Sequence, residues 1–212
     1  MKTIKKIFQS ISLLLILALL CSTPVYAKTS DKGKIEKVTT AYFKAVKNYN
    51  KNGIKNTLDN KKFDYWNGFP KMQKHIRKLH KDNLQYDIKK IKVKGNTATV
   101  TVKVSFYSAY DDSKEAFKEV LKVYHKNMPP QKMIPIFSSE MKRIYQENQY
   151  YFEPDEYKDQ FIFVNTTKIP LIKKGGTWRI AYVTPRMQYQ MDCVTTKFWN
   201  DLAENPLKTL YD

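Results

Sequence analysis

The stretch from Lys168 to Val183 reads Lys-Ile-Pro-Leu-Ile-Lys-Lys-Gly-Gly-Thr-Trp-Arg-Ile-Ala-Tyr-Val, and it is the most informative segment about the fold. Its centre, Gly175-Gly176, supplies the positive φ angles of a tight β-hairpin turn. Apolar side chains alternate on both sides of this turn, at Ile169 and Leu171 before it and at Trp178, Ile180 and Tyr182 after it. The pattern predicts a hairpin whose three apolar side chains after the turn face the core.

A second hairpin is predicted around Gly95-Asn96. From Ala98 to Phe106 every second residue is apolar, and threonine, lysine and serine stand between. Such alternation predicts a strand with one face in the core and the other solvated. The preceding strand, around Tyr86–Val93, shows a one-residue slip near Lys89-Lys90, which a β-bulge explains.

Helical periodicity precedes these strands. Apolar residues recur at spacings of three and four from Ile35 to Tyr49, which predicts an amphipathic helix that Asn52-Gly53 ends. A short second helix is predicted at Ile54–Leu58. The third is predicted around Met72, Ile76 and Leu79, and it carries many cationic residues.

A helical insertion is predicted between the two hairpins, over residues 108–159. Asp111-Asp112-Ser113 predicts the cap of one helix, and Ser138-Ser139-Glu140 predicts the start of another. Beyond it, Pro170 lacks an N–H and is expected at an edge or a bulge of the sheet. In the C-terminal tail, residues 184–212, we expect a short closing helix that packs Phe198, Trp199 and Leu202 on the sheet.

Together these elements predict an α+β fold with N-terminal helices packed on a curved antiparallel sheet. We expect residues 28–212 to form a single domain, because this length suits one sizeable core.

The N-terminal residues 1–27 have the pattern of a secretory signal peptide. Three lysines precede the apolar run Ile11–Leu20, and Val25-Tyr26-Ala27 provides a cleavage site after Ala27. The apolar run spans about ten residues, whereas a membrane span needs roughly twenty. An uncleaved anchor and a lipoprotein modified at Cys21 are the alternatives. A secreted or envelope-associated protein of a Gram-positive bacterium is therefore expected.

The chain is strongly basic. Its formal charge is +18, and loss of the three lysines of the signal would lower it to +15. Such a charge predicts salt-sensitive attraction to polyanions. For an exported protein these are an anionic envelope polymer, such as a teichoic acid, or a membrane surface, and no nucleic acid is expected.

Two sets of residues are candidates for binding. The third predicted helix carries a diffuse basic surface, with ordinary solvated side chains as the alternative. The helical insertion carries an aromatic run that suits a pocket mouth or a recognition surface, with core packing as the alternative. The candidate binding residues are Lys71, Lys74, Arg77, Lys78, Lys81, Tyr145, Tyr150 and Tyr151.

Catalytic and metal chemistry find little support in the sequence. His75 and His80 lie five apart, which suits solvated histidines on a basic helix better than a metal pair. Cys193, the single cysteine after residue 27, is expected to be a small buried residue. Solvation, capping and turn roles account for the remaining candidates, His125, Asp111, Asp112, Glu153, Asp155 and Glu156. We therefore expect no catalytic site, no metal and no cofactor.

The order of these elements resembles the cystatin-like, nuclear-transport-factor-two-like superfamily of α+β cones. The likeness covers Ile35–Tyr107 and Gln160–Val183, and it rests on the closing phrase Ile169–Ile180. The resemblance implies a curved sheet wrapped around a long helix, and the insertion departs from that pattern. Members include dehydratases, isomerases, ligand carriers and secretion scaffolds, so the fold does not choose a function.

The sequence favours an exported, non-catalytic binding or scaffold module. Its basic surface is expected to associate with the anionic cell envelope or with a partner protein. The alternative is a small-molecule binder or enzyme that uses the interior of the cone. Pairing of two sheets in a homodimer remains open.

Overall fold

The computed structural model describes residues 30–61, 73–124, 128–152 and 162–211, and within them the chain has an α+β fold. Eight helices are described: α1 Asp31–Lys47, α2 Lys51–Thr57, α3 Gln73–Asn83, α4 Tyr110–Val123, α5 Pro130–Phe152, α6 Pro185–Asp192, α7 Thr195–Glu204 and α8 Pro206–Tyr211. Four strands form one antiparallel sheet: β1 Gln85–Lys94, β2 Thr97–Tyr107, β3 Ile162–Lys174 and β4 Thr177–Ile180. The predicted fold class is confirmed.

Some sequence predictions fall on other parts of the chain. The signal peptide (residues 1–27), His125 and the acidic residues Glu153, Asp155 and Glu156 lie outside the described residues.

The sheet is a meander whose strands follow chain order from β1 to β4. Both predicted hairpins are confirmed. Gly175 and Gly176 have φ angles of 54° and 77° in the turn between β3 and β4. These positive values match the mirror-image turns that suit the right-handed twist of paired strands.

Strand β4 is shorter than the alternation of its side chains predicts. Trp178 and Ile180 are buried, as expected, but Tyr182 is 63% exposed, so its predicted core position is wrong. The chain leaves the sheet after Ile180, whose carbonyl accepts a hydrogen bond of 2.8 Å from the backbone N–H of Asp59. Strand β4 therefore ends where Ile180 bonds to Asp59, a residue just beyond α2.

Pro170 lies where β3 loses its neighbour β4. Its carbonyl accepts a hydrogen bond of 2.9 Å from the backbone N–H of Ala181, the first residue beyond β4. In an antiparallel strand the N–H and C=O of one residue point the same way. The missing N–H therefore faces the end of β4, so Pro170 lies in an interior strand at the point where its pairing with β4 stops.

The main hydrophobic core lies between the inner face of the sheet and helices α1 and α6. Every second side chain of β2 enters it, as the alternation predicts. The largest fully buried members are Ile35, Tyr42, Phe43, Leu58, Leu84, Phe106, Ile169, Leu171, Trp178 and Ile180. Tyr86 stacks on Phe43 with 4.6 Å between ring centroids.

A second core joins the helical insertion to α3 and α7. Its buried members include Leu79, Ala116, Val120 and Met141. Around them the rings of Phe117, Phe137, Phe198 and Trp199 meet at centroid distances between 5.0 and 6.3 Å. The closing helix α7 thus packs its aromatic residues on the insertion, whereas we predicted packing on the sheet. Met187 and Met191 of α6 fill the sheet core instead.

The corner between α1 and α2 also differs from the sequence prediction. Asn52-Gly53 does not end α1 but lies within α2. The left-handed turn is made by Tyr49, whose φ is 50°. The side chain of Asn50 then accepts a hydrogen bond of 2.9 Å from the Gly53 N–H, so a new helix begins there.

Both helices of the insertion begin earlier than predicted. Ala109 occupies the N-cap of α4, and Asp111 and Asp112 lie in its first turn. There their negative charges interact favourably with the positive N-terminal end of the helix dipole. Helix α5 begins at Pro130 and runs through Pro135 and the serines that we predicted as its start. Within the described ranges no helix is long and apolar enough to cross a membrane.

Candidate functional site

The outer face of the sheet carries a dense set of cations. In the register of β1 and β2, Lys90, Lys92 and Lys94 lie opposite Thr101, Thr99 and Thr97. Lys103 of β2 lies opposite Thr166, and Lys168 of β3 lies opposite Thr101. Arg179 of β4 lies opposite Ile172. Because side chains alternate between the faces of a strand, these residues share the face opposite the buried valines of β2.

A β-bulge in β1 sets which lysines face outward. The register shifts between Ile88 and Lys90, which confirms the predicted bulge near Lys89-Lys90. In a regular strand Ile88 and Ile91 would point to opposite faces, because they are three positions apart. The extra residue allows both isoleucines to pack against the main core. It also leaves three lysines at alternate positions on the solvent side.

The outer basic face, defined as Lys90, Lys92, Lys94, Lys103, Lys168 and Arg179, is short of acidic partners. Among the described residues none of these six forms an ion pair. Lys174 points the same way, but Asp59 binds it at 2.6 Å. Asp87, opposite Lys103, is paired with Lys89. The face therefore has a net positive charge.

The spacing of these cations suits an extended anionic ligand. Alternate residues of one strand are about 7 Å apart, and neighbouring strands are about 5 Å apart. The lysines of the outer basic face are exposed, so their ammonium groups are accessible. Threonine hydroxyls between them add hydrogen-bond donors for phosphate or carboxylate oxygens. The arrangement can hold several anionic groups of one ligand.

One end of this face has a shallow cavity of about 450 Å³. Lys89, Lys103, Asp87 and Ser105 contribute its polar lining, and Val164, which is 52% exposed, contributes an apolar part. Mixed charge makes this end less selective for anions than the rows of lysines in the middle of the face.

The predicted basic helix corresponds to α3, and the structure describes the side chains of three of its five predicted cations. Lys71 lies outside the described residues, and for Lys74 the side chain does too. The guanidinium of Arg77 lies 5.3 Å from the centroid of the Tyr49 ring. Lys78 forms an exposed ion pair of 3.7 Å with Asp82. Lys81 is exposed.

The predicted tyrosine surface lies on α5. Tyr145 is half-buried and packs against the second core. Tyr150 and Tyr151 belong to the same helix, but the structure does not describe their side chains. For Tyr145 the alternative of core packing matches its position.

His80 does not have the solvated position that we predicted. It is fully buried, and its Nε2 lies 2.6 Å from the carbonyl oxygen of Gln190, to which it can donate. Burial lowers the pKa of His80 to about 4, so the imidazole is neutral at physiological pH. The helical periodicity could not predict this burial, because the partner of His80 is Gln190, more than a hundred residues later in the chain.

Cys193 is buried, as predicted. The hydroxyl of Tyr49 lies 3.6 Å from its Sγ, and burial raises the pKa of the thiol. A protonated, inaccessible thiol is a poor nucleophile. Tyr49, Cys193 and Val194 are the non-glycine residues with positive φ in the described ranges, so this contact joins two left-handed turns.

Of the acidic candidates, the structure describes Asp111 and Asp112. Asp111 is exposed, whereas its neighbour Asp112 is buried at the first turn of α4. The described residues contain no group of three His, Cys, Asp or Glu side chains that could hold a metal ion.

Comparisons with protein-family models, with curated proteins and with solved structures found no match to this chain.

Sequence reasoning missed the outer basic face, although part of the signal was visible. The slip at Lys89-Lys90 and the polar alternation of β2 both indicated a solvated face. Lys168 and Arg179 lie more than sixty residues further along the chain, and only the register of the sheet brings them onto the same face as the β1 lysines.

Proposed function

We propose that this protein is an exported, non-catalytic binding module whose outer basic face associates with an anionic polymer of the cell envelope. The observation that carries this proposal is the alignment of six cations without ion-pair partners, among the described residues, on one face of the sheet. Export rests on the N-terminal pattern of residues 1–27. The resemblance to cystatin-like cones remains part of the proposal, but functions in that superfamily vary widely, so the resemblance does not choose between binding and catalysis.

A linear polyanion fits the outer basic face better than other partners do. A second copy of the chain, docked through the same face, would bring like charges together at a cost. A partner protein would need an acidic surface to match the cations. A polymer with a phosphate in each repeat supplies its charges in a row, as the β1 lysines do.

The alternative function, catalysis or ligand binding in the interior of the cone, has less support. The space between the sheet and α1 is filled by large side chains such as Tyr42, Phe43 and Trp178. His80 has an inward position and a lowered pKa, but the cavities of about 450, 500 and 700 Å³ are lined by other residues.

The test compares two charge-matched variants of the mature chain, Lys28–Asp212. The first is Lys90→Gln/Lys92→Gln/Lys94→Gln. The control, Lys132→Gln/Lys142→Gln/Lys208→Gln, removes the same charge from exposed lysines of α5 and α8. Cosedimentation with purified cell walls, with and without teichoic acids, measures binding. We expect the first variant to lose most binding at physiological salt and the control to keep it.

A third variant, Lys78→Gln/Lys81→Gln, tests the cations of α3. Equal loss in the two triple variants, with a proportionally smaller loss in this double variant, would mean that net charge alone governs association, and the outer basic face would then be rejected as a site. Vesicles of anionic and neutral phospholipid form a separate arm. Binding to anionic vesicles but not to teichoic acid would replace the polymer with a membrane surface.

A further inference from the structure

A groove lies between α1, α2 and strand β4, on the side of the molecule where the sheet ends. Its volume is about 700 Å³, within the range of small-molecule sites in proteins. Thr177, Trp178 and Arg179 of β4 form one wall, and residues of α1 and α2 form the other.

Small residues open this groove and fix its shape. Ala41 and Ala45 lie one helical turn apart on α1 and leave space between the helix and β4. A Cβ on Gly53 would lie 2.9 Å from the Cβ of Ala45, so glycine is needed for the close approach of α2. The cap that Asn50 provides holds the start of α2 in place. The groove is therefore preformed.

The charge of the groove is positive. Lys37, Lys44 and Arg179 line it, and no acidic side chain is among its described lining residues. None of these three cations forms an ion pair within the part of the chain that the structure describes. The nearby carboxylate of Asp59 is bound to Lys174. The groove thus favours an anionic group.

The floor of the groove is apolar. Val38 and Ala41 contribute most of its hydrocarbon surface, and the nearly buried Ala45 and Trp178 contribute smaller parts of it. A small hydrated ion gains nothing from such a floor, whereas an alkyl chain that covers it is removed from water. The amide side chains at the rim, such as Asn56, offer hydrogen bonds to a polar head group.

We propose that this groove is a second binding site, specific for a single-chain amphipathic anion, with the alkyl chain on the floor and the head group at Lys37 and Lys44. Arg179 belongs both to this groove and to the outer basic face, so the two sites are neighbours. The proposal does not depend on polymer binding, because it rests on the lysines of α1 and on the apolar floor.

Titration calorimetry of the mature chain with octanoate, octyl phosphate and octanol, all below micelle formation, tests the proposal. We expect both anions to bind and octanol, which has the same chain without the charge, to bind at least tenfold more weakly. Lys37→Gln/Lys44→Gln should weaken anion binding roughly three- to tenfold, as expected for two partly exposed ion pairs. Lys132→Gln/Lys142→Gln is the charge-matched control and should change nothing.

A second variant, Ala41→Phe, fills the groove from an exposed position of α1 and should abolish binding of both anions. A preference for octyl phosphate would identify a phospholipid-derived ligand, and a preference for octanoate a fatty acid. Octanol binding as tight as that of the anions, or equal anion binding by all variants, would overturn the proposal. Teichoic acid binding should survive Ala41→Phe, so failure of one site is distinguishable from failure of the other.

Discussion

Lys90 lies opposite Thr101, although Ile88, two residues earlier in β1, lies opposite the adjacent Val102. Two residues of β2 therefore face three residues of β1, and Lys89 is the extra one. Ile88 and Ile91 are three positions apart, yet both face the core. The bulge makes this possible in a strand whose side chains otherwise alternate between faces. It thereby fixes which lysines of β1 contribute to the outer basic face.

Deletion of Lys89 should be tolerated, because the pairing on either side of the bulge continues without it. Ile88 would remain opposite Val102 and Lys90 opposite Thr101, now in a regular ladder. The exposed ion pair between Lys89 and Asp87 would be lost, and such pairs contribute at most about 1 kcal/mol. We expect the free energy of unfolding, measured with urea, to change by less than about 1 kcal/mol.

Deletion of Lys92 is the matched control, since it removes the same residue type from the same strand. The bulge can absorb this deletion only if Lys90 turns inward and Ile91 turns outward. We expect a loss of about 1–3 kcal/mol of unfolding free energy, from exposed apolar area and a lysine at the core face. Equal stability of the two deletion variants would contradict the assigned bulge.

Binding through the outer basic face should depend steeply on salt. Each phosphate that a lysine neutralises releases counterions, which contributes about −0.7 to −0.9 to the slope of log K against log salt for nucleic acids. The variant Lys90→Gln/Lys92→Gln/Lys94→Gln should therefore lower the magnitude of the slope by about two to three. Measurement of teichoic acid binding at several salt concentrations checks this value, with Lys132→Gln/Lys142→Gln/Lys208→Gln as the control. An unchanged slope would exclude contact of these lysines with the polymer.

The sequence predicted those parts of the fold that depend on local pattern. The glycine turn, the bulge and the burial of Trp178 follow from spacing and turn chemistry within a few residues. The position of Tyr182 could not be read this way. The apolar alternation continues to Tyr182, but β4 ends at Ile180. There the Ile180 carbonyl accepts a hydrogen bond from the backbone N–H of Asp59, more than a hundred residues earlier in the chain.

The candidate site shows the same division. Three alternate lysines in β1 were visible in the sequence, but the neighbours that make them a surface come from β3 and β4. The burial of His80 depends on Gln190, in α6. In both cases residues far apart in the chain meet, and neither helical nor strand periodicity carries that information.

The buried imidazole of His80 should make the protein less stable in mild acid. Its pKa is about 4 in the folded chain, whereas a solvated histidine has a pKa of about 6.5, so the unfolded state binds more protons between these two pH values. The stabilisation is fully present above pH 6.5 and is lost as the pH falls toward 4. From pH 7 to pH 4.5 we expect this group to remove about 2 kcal/mol of unfolding free energy.

His80→Gln isolates this contribution, because glutamine keeps an amide donor for the Gln190 carbonyl and does not titrate. Urea unfolding at pH 7 and at pH 4.5 gives the loss for each protein. The loss of unfolding free energy between pH 7 and pH 4.5 should be smaller in the variant by about 2 kcal/mol. The carboxylates contribute equally to both proteins, so they do not affect this difference. Identical losses would mean that His80 is protonated in the folded state as readily as in the unfolded one.

Cys193 should react with thiol reagents only when the protein unfolds. In the mature chain it is the single cysteine, it is buried, and burial raises the pKa of its thiol. Labelling by Ellman's reagent at pH 8 should therefore give an opening free energy equal to that from urea unfolding.

Tyr49→Phe removes the hydroxyl beside the Cys193 Sγ but keeps the ring, so labelling of the native protein should stay slow. Trp178→Ala, expected to cost about 3–5 kcal/mol, should accelerate labelling by about two orders of magnitude or more. Fast labelling of the unaltered chain in the absence of denaturant would show instead that the turn between α6 and α7 opens independently of the core.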